Sequence, residues 1–232
     1  MINNYIGITE RGDPSLDLGW MPWVQEGKPA ILITKNPGKL LAIFLKNPAE
    51  SKQYNIIIHA TITGMGGSLI EPNVPPRQES LIAYKKLIDF FVPERVVLRI
   101  DPIIPTESGI ELAKHVIVEK DDTRVRISFI DLYPHVQKRF KDLGIILPWN
   151  TFHAPLDVRK TVWEELGSPE ICGEPGFECT GCVSELDCRI LNVDPLDFNK
   201  GQRKYCACLA NKKELLTQKK RCPNLCTYCY WT

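Results

Sequence analysis

Three cysteines near the end of the sequence have a spacing suited to iron–sulfur chemistry. Cys222, Cys226 and Cys229 form a C-x-x-x-C-x-x-C motif, and Tyr228 stands directly before the last of them. Three thiolates on one short loop can hold three irons of a cubane cluster, which leaves the fourth iron with an open coordination position. A zinc knuckle or a disulfide is the alternative, but structural zinc normally takes four protein ligands. The motif therefore predicts a 4Fe-4S cluster.

Six further cysteines precede this motif, and residues 1–171 contain none. Cys179 and Cys182 form a C-x-x-C pair, and Cys206 and Cys208 form a C-x-C pair. Together these two pairs could supply four thiolates to a second iron–sulfur cluster or to zinc. The two cysteines that fit no pattern are Cys172 and Cys188.

The composition is that of a folded protein without a strong overall charge. Of the 232 residues, 44% are hydrophobic, and 29 basic residues nearly balance 28 acidic ones. No apolar run is long enough to span a bilayer, and the first residues lack the basic and apolar regions of a signal peptide. We therefore expect a cytoplasmic protein with reduced thiols and no membrane partner. Basic residues at 212–213 and 219–221 precede the cysteine motif and could bind the phosphates of a nucleic-acid or nucleotide substrate.

Short runs rich in Ile and Val alternate with helical patterns along most of the chain. This alternation predicts βα units, and hence an α/β fold whose parallel sheet forms a partial or full (β/α) barrel. An open doubly wound sheet is the competing architecture, but no phosphate-binding glycine motif follows the first strand. The expected strands are residues 30–34, 55–63, 95–100 and 125–130, with weaker ones at 5–9 and 149–154. The expected helices are residues 78–91, 107–118, 135–143 and 157–166.

Composition divides the chain into three regions. Residues 1–167 carry the main part of the barrel. Residues 168–211 are dense in Cys, Gly, Pro and Asp, which indicates an irregular metal-binding insert. Residues 212–232 hold one more strand, expected over 214–221, and then the cysteine loop. Active sites of (β/α) barrels lie at the C-terminal ends of the strands, so this loop is expected at the catalytic mouth.

The cysteine motif, together with Tyr228 and Tyr230, resembles the signature of the radical S-adenosylmethionine superfamily. The resemblance implies that the open iron binds S-adenosylmethionine. It also implies that an electron from flavodoxin or ferredoxin cleaves the C–S bond and gives a 5′-deoxyadenosyl radical. Tyr228 matches the position that packs near the adenine. Most of the superfamily carries the motif after the first strand, so its place here implies a circularly permuted barrel.

The chain also resembles a little-characterised family of bacterial and phage proteins that share the C-terminal cluster motif and an Arg/Asp-Pro element, here residues 11–14, and it is similar to spore photoproduct lyase-type proteins. These likenesses cover most of residues 5–155 and the last few residues. Four segments follow in the order known from spore photoproduct lyase-type proteins: a strand ending in Thr-Lys, a strand ending in hydroxyl residues, a Glu-Pro loop and a Pro-flanked strand. The resemblance says more about chemistry than about substrate, which is a small molecule or a nucleic-acid base. The four segments here are residues 33–37, 59–64, 71–76 and 99–105.

In the permuted arrangement, Lys35, Thr63 and Arg99 stand at strand ends beside the cluster. A cationic side chain there can pair with the carboxylate of S-adenosylmethionine, bidentately in the case of Arg99. Glu71 can accept hydrogen bonds from ribose hydroxyls or from the substrate, and Asp101 is a further catalytic candidate. The alternative is an ion pair that only stabilises the barrel mouth, for example Arg99 with Asp101 or Glu71.

Two other functions stay open at this point. A non-catalytic zinc or iron–sulfur module for nucleic acid predicts metal without cleavage of S-adenosylmethionine, and an affinity that falls steeply with salt. A barrel hydrolase with a divalent metal at Glu71, Asp101 and Asp131 leaves the nine cysteines unexplained. The sequence therefore favours a radical enzyme with an unassigned reaction.

Overall fold

Seven parallel strands form one sheet, a half-barrel flanked by helices, in the computed structural model, which describes residues 5–194, 204–209, 212–217 and 222–230. The strands are β1 (Ile6–Ile8), β2 (Ala30–Thr34), β3 (Ile56–Thr61), β4 (Val96–Ile103), β5 (Arg124–Phe129), β6 (Glu170–Ile171) and β7 (Lys212–Glu214). The helices are α1 (Met21–Gln25), α2 (Pro37–Phe44), α3 (Pro48–Ser51), α4 (Arg77–Phe91), α5 (Glu107–Ile117), α6 (Pro134–Asp142), α7 (Leu156–Glu165) and α8 (Glu185–Leu191). None of the helices in these described ranges is both long enough and apolar enough to cross a membrane.

The central strands are covered on both sides, which is why they read as continuous apolar runs. β2 and β3 are buried at every position. On one side, residues such as Leu32 and Ile58 pack with the helices, Tyr84 among them. On the other side, Ile31 and Ile57 pack with the cysteine-rich segment. This two-sided burial is typical of parallel sheets and confirms the predicted α/β class.

One predicted strand is wrong. Residues 149–154 make a single antiparallel bridge, between Asp131 and His153, and form no strand. Most of that segment is partly or fully exposed, so it lacks the burial of an inner parallel strand. Instead β6 pairs with β5, through Arg126 opposite Glu170. The sheet therefore continues into the segment that was predicted to be an irregular insert.

The last strand of the chain lies beside the first. The spatial order is β6-β5-β4-β3-β2-β1-β7, and β7 pairs in parallel with β1 through Ile6 opposite Lys212. Apart from β7, the order in space follows the order in sequence. The strand expected over 214–221 is wrong in its bounds, since β7 covers Lys212–Glu214 and residues 215–217 are not in a strand. Residues 218–221 lie outside the described part. This topology brings the final cysteine loop to the same end of the sheet as the loops after β2 and β3.

The cysteine-rich segment closes one side of the half-barrel. Besides β6 it contains α8, whose N-terminus has a reciprocal capping box between Ser184 and Asp187. Buried Arg126 of β5 binds this segment, since its Nη2 lies 2.6 Å from Glu170 Oε2 and 3.5 Å from Asp187 Oδ2. The described part of the segment is therefore more regular than its composition suggested.

Candidate metal and cofactor site

A cavity of about 970 Å³ opens at the C-terminal ends of the strands. Parallel strands present their carboxyl ends at one edge, so residues that follow different strands meet there. Lys35 follows β2 directly, and Asp101 lies in the second half of β4. The lining of the cavity includes these predicted site residues: Lys35, Arg99, Asp101, Cys222, Cys226, Tyr228 and Cys229.

Glu71 is the buried acceptor around which this site is built. Lys35 Nζ lies 3.1 Å from Glu71 Oε1, and Thr63 Oγ1 donates to Oε2 at 2.7 Å. The Tyr228 hydroxyl also donates to Glu71. Glu71 is 1% exposed, so its carboxylate orients other side chains and does not face the cavity. Lys35, Thr63 and Tyr228, the residues predicted to bind the cofactor together with Arg99, thus share Glu71 as a hydrogen-bond acceptor.

Lys35 carries its charge beside the cysteine loop. Its Nζ also donates to the Asp101 carbonyl at 2.9 Å and lies 5.0 Å from the centre of the Tyr228 ring. Burial opposes the charged form, but the nearby acidic groups of Glu71, Cys226 and Asp101 outweigh burial and raise the pKa of Lys35. Lys35 is therefore a fixed cation at the mouth of the half-barrel.

Asp13 fastens the cysteine loop to the end of β2. Its carboxylate accepts from the Thr34 hydroxyl at 2.7 Å, the Lys35 amide at 2.9 Å and the Asn224 side-chain amide at 2.9 Å. It is buried and accepts from Ser15 as well. The sequence did not single out this role. The resemblance included residues 11–14 but implied no role for Asp13, and Thr34 and Asn224 stand 21 and 211 positions away from it.

The other side of the cysteine loop is also anchored. The Thr227 amide donates to the Ile70 carbonyl at 2.9 Å, and Arg139 Nη1 donates to the Cys229 carbonyl at 2.8 Å. All three thiols of Cys222, Cys226 and Cys229, here called the cysteine triplet, are half-buried. Burial raises the pKa of Cys226 to about 11, and Lys35 opposes that rise. The loop thus presents its thiols to the cavity from a fixed backbone.

Arg99 and Asp101 form an ion pair, and Ser128 donates to the same carboxylate. Burial disfavours the charge of Arg99, but Asp101 outweighs it and raises the pKa of Arg99. Cys182 and Cys172 act on Arg99 in the same direction. Arg99 therefore stands toward the second group of cysteines, and the ion pair that the sequence offered as an alternative is present.

The second group differs from the predicted set. Cys172 Sγ lies 3.5 Å from Cys182 Sγ, and the Cys182 amide donates to Cys208 Sγ at 3.0 Å. A hydrogen bond from Cys208 lowers the pKa of Cys206 to about 6. Cys172, Cys182, Cys206 and Cys208 are here called the cysteine quartet. Cys179, which was predicted in place of Cys172, instead contacts the backbone of Glu174 at 3.2 Å.

The pairing of β6 explains this exchange. The Thr180 amide donates to the Ile171 carbonyl at 2.7 Å, which brings Cys182 beside Cys172. Cys188 lies within α8 in the apolar core, where burial raises its pKa to about 11. The quartet lines the same cavity as the triplet.

Carboxylates do not gather into a separate metal site in the described ranges. The one compact group of acidic, Cys or His ligand atoms found there joins a Glu10 oxygen with the Sγ atoms of Cys182 and Cys208, all within 4.8 Å of one another. Asp131 instead lies 2.9 Å from His153 Nδ1. A hydrolytic divalent site of Glu71, Asp101 and Asp131 therefore has no geometric support.

Fold and site together define an α/β half-barrel with two cysteine groups at one cavity. The chain belongs to the family described as a domain of unknown function, DUF1848, whose model matches residues 25–231. No curated protein matches the chain. The family therefore brings no activity with it, and the site's own chemistry carries the functional argument.

Proposed function

We propose that this protein is a radical S-adenosylmethionine enzyme built on a permuted half-barrel. One observation carries the proposal: three half-buried cysteines on an anchored loop face a cavity at the C-terminal ends of parallel strands. Both requirements of the chemistry are met there, a tri-thiolate ligand set and enclosed space next to it. The seven-strand order, with the last strand placed before the first, supports the permuted arrangement.

The donor set fits a cubane cluster better than a single ion. The triplet is absent from the compact ligand groups within the described residues, so its three Sγ atoms are not all within 4.8 Å of one another. Around one ion the thiolates crowd together, whereas each thiolate of a cubane binds a different iron. When bound and reduced by flavodoxin or ferredoxin, such a cluster supplies the electron that cleaves the sulfonium C–S bond of S-adenosylmethionine.

The chain's own residues bind and orient that cofactor. Lys35 is held by Glu71 and by the Asp101 carbonyl, so its charge is available to the carboxylate of the methionine moiety without being free to swing away. Tyr228 is fixed by its hydroxyl on Glu71 and offers its ring as a flank for the adenine. Both cations are ion-paired, but Lys35 lies beside Tyr228 of the cysteine loop whereas Arg99 lies toward Cys172 and Cys182. We therefore assign the carboxylate contact to Lys35 and place Arg99 in the cavity wall.

The substrate belongs in the rest of the cavity, and its class is a small molecule or a base of a nucleotide. The two lysines of β7 favour the small molecule. Lys212 Nζ lies 2.9 Å from Glu10 Oε2, and Lys213 Nζ lies 4.9 Å from the centre of the Trp23 ring. Both are engaged within the chain, so these two described side chains form no open phosphate-binding patch, and the basic residues 219–221 lie outside the described part of the chain.

The test is cleavage of S-adenosylmethionine by the full chain. The protein is reconstituted anaerobically with iron and sulfide, reduced with dithionite, and assayed for 5′-deoxyadenosine by mass spectrometry. We expect product from the wild type and from Cys179→Ala, the control, but none from Cys222→Ala, Cys226→Ala or Cys229→Ala. Product formation that is unchanged in the three triplet variants would refute the proposal.

A further inference from the structure

We infer that the cysteine quartet is a second metal site, in which four thiolates hold one thiophilic ion of the Zn²⁺ class. The inference does not rest on the proposed function, because it concerns a different set of sulfur atoms. Nothing in the proposed chemistry uses Cys172, Cys182, Cys206 or Cys208, yet they meet at one place in the fold.

Sulfur distances connect Cys182 with two of the other three cysteines. Four thiolates around one ion at about 2.3 Å stand about 3.8 Å apart. The Sγ atoms of Cys172 and Cys182 are separated by 3.5 Å, close to that edge length. Cys208 Sγ lies within 4.8 Å of Cys182 Sγ. Cys206 is two positions from Cys208 and lines the same cavity. In the described ranges, Cys172 and Cys206 lie outside the group of ligand atoms that are all within 4.8 Å of one another, so a single ion would draw their sulfurs inward.

Three of the four quartet cysteines are buried in the apolar core. Cys172, Cys182 and Cys208 are at most 4% exposed and sit among aliphatic residues of β1 to β4. As free thiols they would be ordinary small apolar residues, and nothing would require four of them in one contact chain. As ligands, all four would coordinate the same ion.

Two cationic side chains lie on the inner wall of the half-barrel beside the quartet. A divalent ion with four thiolates carries two negative charges, which burial would disfavour without cations nearby. Arg126 Nη1 donates to the Cys182 carbonyl at 3.3 Å, so its guanidinium group lies next to the quartet. Arg99 is the second cation, and both guanidinium groups also pair with carboxylates of the chain.

The site also has a structural purpose. Its four ligands come from the end of β6, the loop before α8 and the stretch 206–208 before β7. One ion would therefore link β6, at one edge of the sheet, to the segment that precedes β7, at the other edge. A closed tetrathiolate site contributes to folding directly, because such a site does not exist in the unfolded chain.

The experiment measures metal in the full chain without the first cluster. Cys222→Ser, Cys226→Ser and Cys229→Ser are combined to remove the triplet, and metal content is determined by mass spectrometry after anaerobic purification. We expect one zinc per chain. A further change of Cys172, Cys182, Cys206 or Cys208 to Ser should lower zinc at least tenfold. The matched controls Cys179→Ser and Cys188→Ser should keep it.

Three results would overturn the inference: equal zinc in quartet and control variants, loss of iron and sulfide in place of zinc, or a Cys172–Cys182 disulfide in the intact protein. Because a quartet variant can fail to fold, zinc X-ray absorption on the wild type provides an independent reading. Four sulfur neighbours at about 2.3 Å are expected there. Fewer sulfurs would exclude the tetrathiolate site. Failure of the radical assignment leaves these readings unchanged, since the triplet is absent from the first experiment.

Discussion

The cysteine triplet and the cysteine quartet line one cavity but are held in different ways. The triplet stands on a loop that side chains such as Asp13 and Arg139 fasten to the strand ends, and its thiols are half-buried. The quartet is drawn from three segments and lies mostly within the apolar core. An anchored but accessible loop suits a centre that must receive a cofactor, whereas a buried junction suits a centre that holds the fold together.

The largest expected effect is that each cysteine group loses its own metal while the other group keeps its metal. Cys226→Ser should remove cluster iron and reduce 5′-deoxyadenosine formation to the assay background, while zinc stays at one per chain. Cys182→Ser should remove zinc and leave the triplet able to take up iron. Iron, sulfide and zinc analysis of both variants checks this. If either substitution removed both metals to the same extent, the two groups would form one centre and the comparison would fail.

The second effect is on stability and should be confined to the quartet. Removing zinc by Cys182→Ser should lower the free energy of unfolding by about 3 kcal/mol, as for loss of a ligand present at about 100 times its Kd. Chemical denaturation with and without added zinc measures the difference. Cys179→Ser is the matched control, and zinc should stabilise it as much as it stabilises the wild type. Equal zinc stabilisation of Cys182→Ser would contradict a structural ion.

A third change addresses the cofactor side of the cavity. Glu71→Gln keeps the shape of the side chain but removes the charge that Lys35 faces at 3.1 Å. We expect the KM for S-adenosylmethionine to rise about 10-fold or more, since hydrogen bonds to charged groups are worth about 1.5–3 kcal/mol. Steady-state kinetics on the reconstituted enzyme gives the value, and Glu79→Gln on the exposed side of α4 is the control. An unchanged KM would remove Glu71 from the positioning role.

The smallest effect serves as a reference away from both groups. Tyr84 lies on the helical side of the sheet and donates to the Lys120 carbonyl at 2.6 Å, so Tyr84→Phe should cost about 1 kcal/mol with or without metal. Burial raises the pKa of Tyr84 to about 12 in the folded protein. Between about pH 10 and 12 the unfolded chain therefore ionises first, and stability is lost as pH rises.

Between about pH 10 and 12, the free energy of unfolding from denaturation experiments should fall more steeply with pH for the wild type than for Tyr84→Phe. A metal-dependent difference between the two proteins would show that the helical face is coupled to the cysteine groups. Parallel curves would instead show that Tyr84 titrates alike in the folded and unfolded chains.

Much of the sheet could be predicted because its strands carry their own signal. Residues 30–33 are apolar, and with Thr34 they form β2 with the predicted bounds. β6 is only two residues long, and Glu170 is one of them, so no run of apolar residues indicates it. It exists because β5 offers an edge and Arg126 binds Glu170. Because β6 depends on pairing with β5, the residues of β6 alone do not predict a strand.

Pairing with a neighbouring segment also explains why Cys179 was predicted as a ligand and Cys172 was not. Spacing in sequence led to Cys179, since C-x-x-C is a familiar ligand pair. The structure joins Cys182 to Cys172 across ten positions through the pairing of residue 180 with β6. Lys35 and Thr63 could be expected at the mouth because both follow buried strands. Asp13 gains its role from partners that are distant in sequence, of which Asn224 stands 211 positions away.

The most direct test of the central claim is electron paramagnetic resonance of the dithionite-reduced, reconstituted protein with and without S-adenosylmethionine. The account predicts a signal of a reduced 4Fe-4S cluster that shifts when S-adenosylmethionine is added, and that disappears in Cys222→Ala, Cys226→Ala and Cys229→Ala. The same signal should persist in Cys182→Ser. A cluster signal that S-adenosylmethionine leaves unchanged, or one that persists without the triplet, would contradict the assignment of these three cysteines to a cofactor-binding cluster.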